Sequence, residues 1–273
     1  MMSDRVTVTM DGGVADVRLV RADKMNALDG AMFDALIATG EELKTQKGLR
    51  AVVLSGEGRA FCAGLDMGSF AQMAGGGHKS VNSGGVGGLG ARDYGIANKA
   101  QQVCLVWRQI PVPVIAAVHG VAFGGGFQLS LGADMRYVAP DTKMSVMEIK
   151  WGLVPDMAGL LLMPGLARAD VMRELTFTGK VFSGVEAKEY GFATRVCDNP
   201  REEALATAKE IAGKSPHAIR AAKRLLNLSL EADAATILLE ETREQVALIA
   251  SPNQVEAVMA NMQKRVANFA DVS

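Results

Sequence analysis

At 273 residues, 49% hydrophobic and 22% charged, the chain can bury a sizeable core as one large domain or a domain with an appended lobe. Its formal net charge of -1 supplies no bulk field toward nucleic acid or an anionic membrane, so neither is expected as a partner. Three separated cysteines, Cys62, Cys104 and Cys197, form no C-x-x-C pair; reduced thiols, a cytoplasmic setting and no metal site are the expectation.

The opening MMSDRVTVTM lacks a basic stretch followed by an apolar run, so no signal peptide is expected. VTVTM and VADVRLV flank Asp11-Gly12-Gly13, which predicts a β-hairpin. After the loop RADKMNAL, Asp29 caps a predicted helix whose apolar residues Met32, Phe33, Leu36, Ile37 and Leu43 recur at helical spacing; Gly48 ends it. AVVLSG (51–56) has the continuous apolar character of a strand buried on both faces. From Gly75 to Gly95 the composition turns to glycine and polar residues, which reads as a mobile surface loop shaping a pocket. Gly85, Gly87 and Gly90 match G-x-G-x-x-G there, but no strand precedes them, and a glycine-rich loop produces that match by chance.

A helix is predicted from about Ile96 to Ile110, followed by Pro111-Val112-Pro113 and the strand VIAAV. HGVAFGGGFQLSLGADMRYVA then reads as strand, glycine turn, short helix and strand. The most apolar stretch, Val112 to Met135, is broken by Pro113, His119 and several glycines, so it is sheet and turns and not a membrane span. Strands alternate with helices through this part, which argues an α/β class. Beyond residue 200 the pattern is helical only, with Pro200, Pro216 and Pro252 opening successive helices. The expected division is a core of 1–199 and a helical lobe of 200–273. Gly213-Lys214-Ser215 resembles the end of a phosphate loop, but Ala208 stands where that pattern needs glycine; Ser215-Pro216 reads as a helix start.

Two segments carry the chemistry: RAFCAGLDM (59–67) and HGVAFGGGFQLSLGADM (119–135). Each follows an apolar strand and puts small residues where main-chain amides can approach a ligand. Two amides converging on one carbonyl oxygen would form an oxyanion hole. The same glycines serve equally for tight strand–helix packing, and the residues alone leave both roles open.

These segments, with ADKMNAL (22–28), PVIAAVHGVAFGGG (113–126), ADMRYVA (133–139), WGLVPD (151–156), TGKVFSGVEAKEYGFATRV (178–196) and SPHAIRAAKRLL (215–226), resemble the crotonase, or enoyl-CoA hydratase/isomerase, superfamily over nearly the whole chain. The resemblance implies a spiral of β-β-α units with a C-terminal helical trimerisation lobe, assembled as a homotrimer or a dimer of trimers. It implies an acyl-CoA thioester as substrate, with no prosthetic group. By position, the oxyanion hole falls on the N–H groups of Leu65 and Gly125. CoA would lie along Met25, Ala27, Ala63 and Asp66, and Lys264 and Arg265 match a basic pair that meets CoA phosphates.

Removing a proton beside a thioester carbonyl builds charge on its oxygen, and preorganised amides stabilise that enolate. The carboxylates then decide the reaction. Where hydratases of the family have a first glutamate, this chain has Gln128; the second is kept as Glu148, and Asp156 follows eight residues later. A Glu and an Asp at that separation resemble dienoyl-CoA isomerases, although those carry an Asp at the Gln128 position. Isomerisation by Glu148 and Asp156, with Trp151 on the pocket wall, is therefore the expectation. Hydration relying on Glu148, and acyl-CoA binding with weak catalysis, are the alternatives. A dehalogenase would use Asp156 as nucleophile with a loop histidine such as His78, and would have Trp in place of Glu148.

Overall fold

The computed structural model describes residues 4–68 and 88–272. Strands β1 (Val6–Asp11) and β2 (Val14–Leu19) form the expected antiparallel hairpin, with Gly12 and Gly13 at φ 55° and 81°. β3 (Ala51–Gly56) joins β2 in parallel, and β4 (Val114–Val118), β6 (Met135–Val138) and β8 (Arg195–Val196) extend the sheet in the order β1-β2-β3-β4-β6-β8. A second, two-stranded sheet pairs β5 (Val121–Phe123) with β7 (Lys143–Ser145). β3 and β4 are buried at every residue, because parallel strands in this position are covered on both faces.

Helix α1 (Gly30–Thr45) starts where expected, with Asp29 Oδ1 accepting the Met32 N–H at 2.8 Å. It ends at Thr45, not at Gly48; the positive φ of Gly48 turns the chain after the helix has already stopped. α2 (Lys99–Gln109) begins three residues later than the apolar pattern predicts, because Asn98 and Gln101 close a capping box and leave Ile96 exposed. α3 (Gly125–Leu131) follows β5 directly and is wholly buried. Its Phe127 meets Phe192 and Phe182 edge-on, with centroids 5.2 and 5.8 Å apart. Beyond β7, a single 3-10 turn (Glu148–Trp151) leads into the short helices α4 (Gly159–Leu162), α5 (Ala169–Thr178) and α6 (Gly184–Tyr190).

One core fills the space between the main sheet and helices α1 to α3. On the other face, Val14, Val53, Ile115, Ala117 and Tyr137 meet Ala204 and Ala208 of α7 (Pro200–Ala212). α7 lies beyond residue 199 yet forms the second layer of the sheet. α8 (Pro216–Leu228) is tied to the same sheet by Lys223, a buried ammonium that donates to Val112 O at 2.8 Å and to Asp134 Oδ2 at 2.7 Å. α9 (Ala234–Leu248) is opened by Asp233, a helix start that the proline pattern did not reveal, and among the described residues it buries none of its side chains. α10 (Pro252–Met262) starts with Ser251 accepting the Gln254 N–H. Past it, Arg50 donates to Ala212 O and Phe269 O and pairs with Asp271, while Asn253 exchanges two hydrogen bonds with Ala270. No helix among the described residues is long and apolar enough to cross a membrane.

Candidate active site

The site is built where the chain leaves β3 and where it leaves β5. Ala63 N–H donates to Met25 O at 2.9 Å, Leu28 N–H to Gly64 O at 2.8 Å, and Asp66 N–H to Leu28 O at 3.0 Å. On its other side the same segment pairs with β5, through Cys62 N–H to Val121 O at 3.0 Å and Phe123 N–H to Cys62 O at 3.2 Å. Residues 62–66 are thus held between two backbones. Of the two roles that the sequence left open, packing is seen at both Gly126 and Gly64. Gly126 serves packing, since a Cβ there would stand 2.2 Å from Cys62 O. Gly64, at φ 88°, lets the two loops come together: a Cβ would stand 2.5 Å from Phe123 O and 3.6 Å from the Gly125 nitrogen.

Leu65 and Gly125 both line a cavity of about 420 Å³, together with Ala63, Glu148, Trp151 and Asp156. Among the described residues, neither the Leu65 nor the Gly125 N–H donates to a protein acceptor. The rest of the wall is largely apolar, with Leu28, Phe33, Met147 and Met157. Exclusion of water by such a wall strengthens any hydrogen bond formed inside.

Glu148 opens the 3-10 turn and is 9% exposed. Burial lifts its carboxyl above the ordinary glutamate range; its own N–H and Gln128 pull it back, and the charge of Asp156 lifts it again. Its Oε1 accepts from Gln128 Nε2 at 2.6 Å, while its Oε2 is buried and has no hydrogen-bond partner among the described residues. Asp156 sits at the rim, where it keeps solvent-accessible surface. The surrounding protein still withdraws enough water to push its carboxyl upward, opposed only by its own N–H.

Gln128 does not line the cavity. It is fully buried behind Glu148, and its Oε1 accepts the N–H groups of Met157 at 3.0 Å and Gly159 at 2.9 Å. Its amide therefore serves the protein and is not presented to a bound water. Met25, Ala27 and Asp66 also lie off the cavity, in the paired backbone beside Ala63. The Asp66 side chain pairs with Arg21 at 2.6 Å and is held below the usual carboxylate range, first by the Gly68 N–H and then by Arg21. Lys264 and Arg265 follow α10 and do not line the cavity; Arg265 forms a two-pronged pair with Glu256 at 2.6 and 2.8 Å.

Two structural residues escaped the sequence reading. Asn26, fully buried at φ 55°, donates to Glu57 O and Ala60 O and accepts the Arg21 N–H, pinning the 22–28 loop to the end of β3. Arg21 crosses the same junction to Ala27 O and Asp66. The signal for Asn26 was a polar residue with αL tolerance between the apolar Met25 and Ala27-Leu28. Cys62 is buried, with its thiol pushed up to about 12, so it is no nucleophile. His119 Nε2 lies 2.9 Å from Gly58 O, a structural contact. Gly88 and Leu89 line the cavity, whereas His78, Gly85 and Gly87 lie outside the described residues.

The pattern of the enoyl-CoA hydratase/isomerase family matches residues 9–272. The chain is similar to the mitochondrial methylglutaconyl-CoA hydratase of Mus musculus, at 30% identity over 93% of this chain and 78% of that protein. It is equally similar, at 30% over 95% of this chain and 94% of the other, to the peroxisomal Delta(3,5)-Delta(2,4)-dienoyl-CoA isomerase of Arabidopsis thaliana. A crystal structure of an enoyl-CoA hydratase from Bacillus anthracis superposes with a TM-score of 0.86, at 28% identity over 97% of this chain and 98% of the other.

Proposed function

The chain belongs to the enoyl-CoA hydratase/isomerase family, whose members act on acyl-CoA thioesters, and on that premise we propose that it isomerises dienoyl-CoA. The Leu65 and Gly125 N–H groups receive the thioester oxygen. One carboxylate takes a proton from C2; the electrons shift along the conjugated chain, and the other carboxylate delivers a proton at its far end. A 3,5-dienoyl thioester thereby becomes a 2,4-dienoyl thioester with no net change in atoms.

The observation that carries this reading is that Glu148 and Asp156 share one cavity with two unengaged amides, and both are raised above their ordinary values. A carboxyl lifted in this way exchanges a proton near neutral pH more readily than a solvated one. The engagement of Gln128 by protein groups removes the second water-holding group that a hydratase would use, which favours isomerisation over hydration. CoA leaves the cavity at Ala63 and runs along the adjoining main chain of Met25, Ala27 and Asp66, and its phosphates meet Lys264 and Arg265 supplied by a neighbouring copy of the chain. The chain assembles as a homotrimer or a dimer of trimers; the exposed Leu238, Leu239 and Val246 on α9 and Val255, Met259 and Met262 on α10 support their burial against another copy.

Purified protein supplied with a 3,5-dienoyl-CoA and, separately, a 2-enoyl-CoA tests the assignment. The expected result is a conjugated 2,4-dienoyl product. Water addition to the 2-enoyl thioester without dienoyl conversion would reject isomerisation in favour of hydration. CoA binding with neither reaction would reject both. A light-scattering mass equal to one chain would reject the trimer.

A further inference from the structure

The Gln128 side chain makes three hydrogen bonds among the described residues, and they join the two elements that carry the carboxylates. Its NH₂ donates to Glu148 Oε1 on the 3-10 turn, and its carbonyl accepts from Met157 and Gly159 in the segment following Asp156. The orientation of the amide is dictated by these partners. Flipped, it would place NH₂ against two N–H donors and a carbonyl against a carboxylate. Ala158, between the two donors, is left-handed at φ 66°, a conformation that a non-glycine residue keeps only where its surroundings hold it. The two N–H groups on either side converge on Gln128 Oε1, so the glutamine stabilises the turn that sets Asp156 at the rim.

Gly159 makes this approach possible. A Cβ there would stand 2.6 Å from Gln128 Oε1, 2.8 Å from its Cγ and 2.9 Å from its Cδ. On the other side, Gly124 leaves room for Glu148, whose Oε1 would lie 3.2 Å from a Cβ at that position. One carboxylate oxygen is thereby occupied, and the other, Oε2, has no hydrogen-bond partner among the described residues.

Resting on the proton-transfer role assigned to Glu148 above, we propose that Gln128 is a positioning residue: it fixes Oε2 of Glu148 as the oxygen that carries the proton and couples the Glu148 turn to the Asp156 turn. An acidic residue at 128 could not do this without a proton of its own. It would oppose Glu148 with like charge, and the pair would share one proton. The amide keeps Glu148 as a single-proton site. The other charge acting on Glu148 is Asp156, and the nearby Cys104 thiol is buried and stays protonated.

Three substitutions in the full chain test the proposal: Gln128→Met, which keeps the bulk and removes the hydrogen bonds, Gln128→Glu, and Gly159→Ala. The last displaces Gln128 without altering its chemistry. The Glu148 carboxyl is followed by NMR with ¹³C-labelled glutamate, assigned through Glu148→Gln, beside kcat and KM for the 3,5-dienoyl-CoA across pH. In Gln128→Met the Glu148 titration moves to higher pH, because a bond favouring the ionised form is gone; Gly159→Ala moves it the same way by less. In Gln128→Glu the pair titrates in two steps. The kcat of the Met variant falls roughly 10²-fold with KM little changed, as for a misplaced reacting group. If Gln128→Met does not fold, the other two decide. A Glu148 titration and kcat unchanged in folded Gln128→Glu and Gly159→Ala would overturn the proposal. A titration that moves while kcat stays constant would support the clamp and reject Glu148 as the proton carrier.

Discussion

Glu148 on the inner wall of the cavity and Asp156 at its rim are both carboxylic acids raised by burial, yet they are held in different ways. Glu148 is 9% exposed, with one oxygen fixed by a buried amide. Asp156 keeps water access, its carboxyl is opposed only by its own N–H, and its turn is held from behind by Gln128 through Met157 and Gly159. On the proposed reaction, the difference would let an inner acid with one free oxygen and an outer acid open to the rim divide a proton transfer between two positions along a substrate.

Removing the inner acid is expected to have the largest effect. Glu148→Gln lowers dienoyl-CoA turnover by about 10²–10⁴, the usual worth of general acid–base catalysis, with thioester binding retained. Turnover within twofold of the parent would end the assignment. Next comes the frame on which the inner wall rests. In Gly64→Ala the new methyl meets Phe123 O from a left-handed backbone, so the two amide-bearing loops separate. The expected loss is about 10²–10³ in rate, with a lowered Tm; a parent-like rate would show that the amides do not act together. At the rim, Asp156→Asn is expected to cost roughly 10² in rate, near the lower end for a proton-transfer group. If this substitution costs more than Glu148→Gln, the ranking of wall over rim reverses.

The smallest effect is on stability against pH. Both carboxyls lie above their ordinary values of 4.5 and 3.8, so the folded chain holds extra protons between those values and its own raised ones. Their favourable contribution is complete below that window and is lost as pH rises through it. Glu148→Gln removes the more buried acid, so the Tm of this variant relative to the parent should increase from pH 4 to pH 8. A difference independent of pH would show that Glu148 is not raised.

The legible parts of the molecule were those set by neighbours in sequence. The turn at Gly12-Gly13, the Asp29 cap and the buried run of β3 follow from local geometry and period. The two glycine segments were legible because close backbone approach demands small side chains, and they do bring Leu65 and Gly125 to one cavity with the acidic pair. Gln128 was legible as a departure but not as a clamp, since its bonds reach across 20, 29 and 31 residues. Helix boundaries misled where a polar cap overrode the apolar pattern, as Asn98 did for α2, and where glycine followed a helix without ending it, as Gly48 did. The sheet-covering role of α7 was hidden because small alanines on a helix face read equally well as surface or as contact.

Arg50 gives the helical part of the chain a mechanical property. Its guanidinium grips residue 212 on one side and residues 269 and 271 on the other, so the stretch carrying α8, α9 and α10 has both ends fastened at one spot beside β3. That stretch is a closed hoop and not a dangling arm. Releasing the clasp with Arg50→Ala is expected to free its far end, while the near end stays joined to α7.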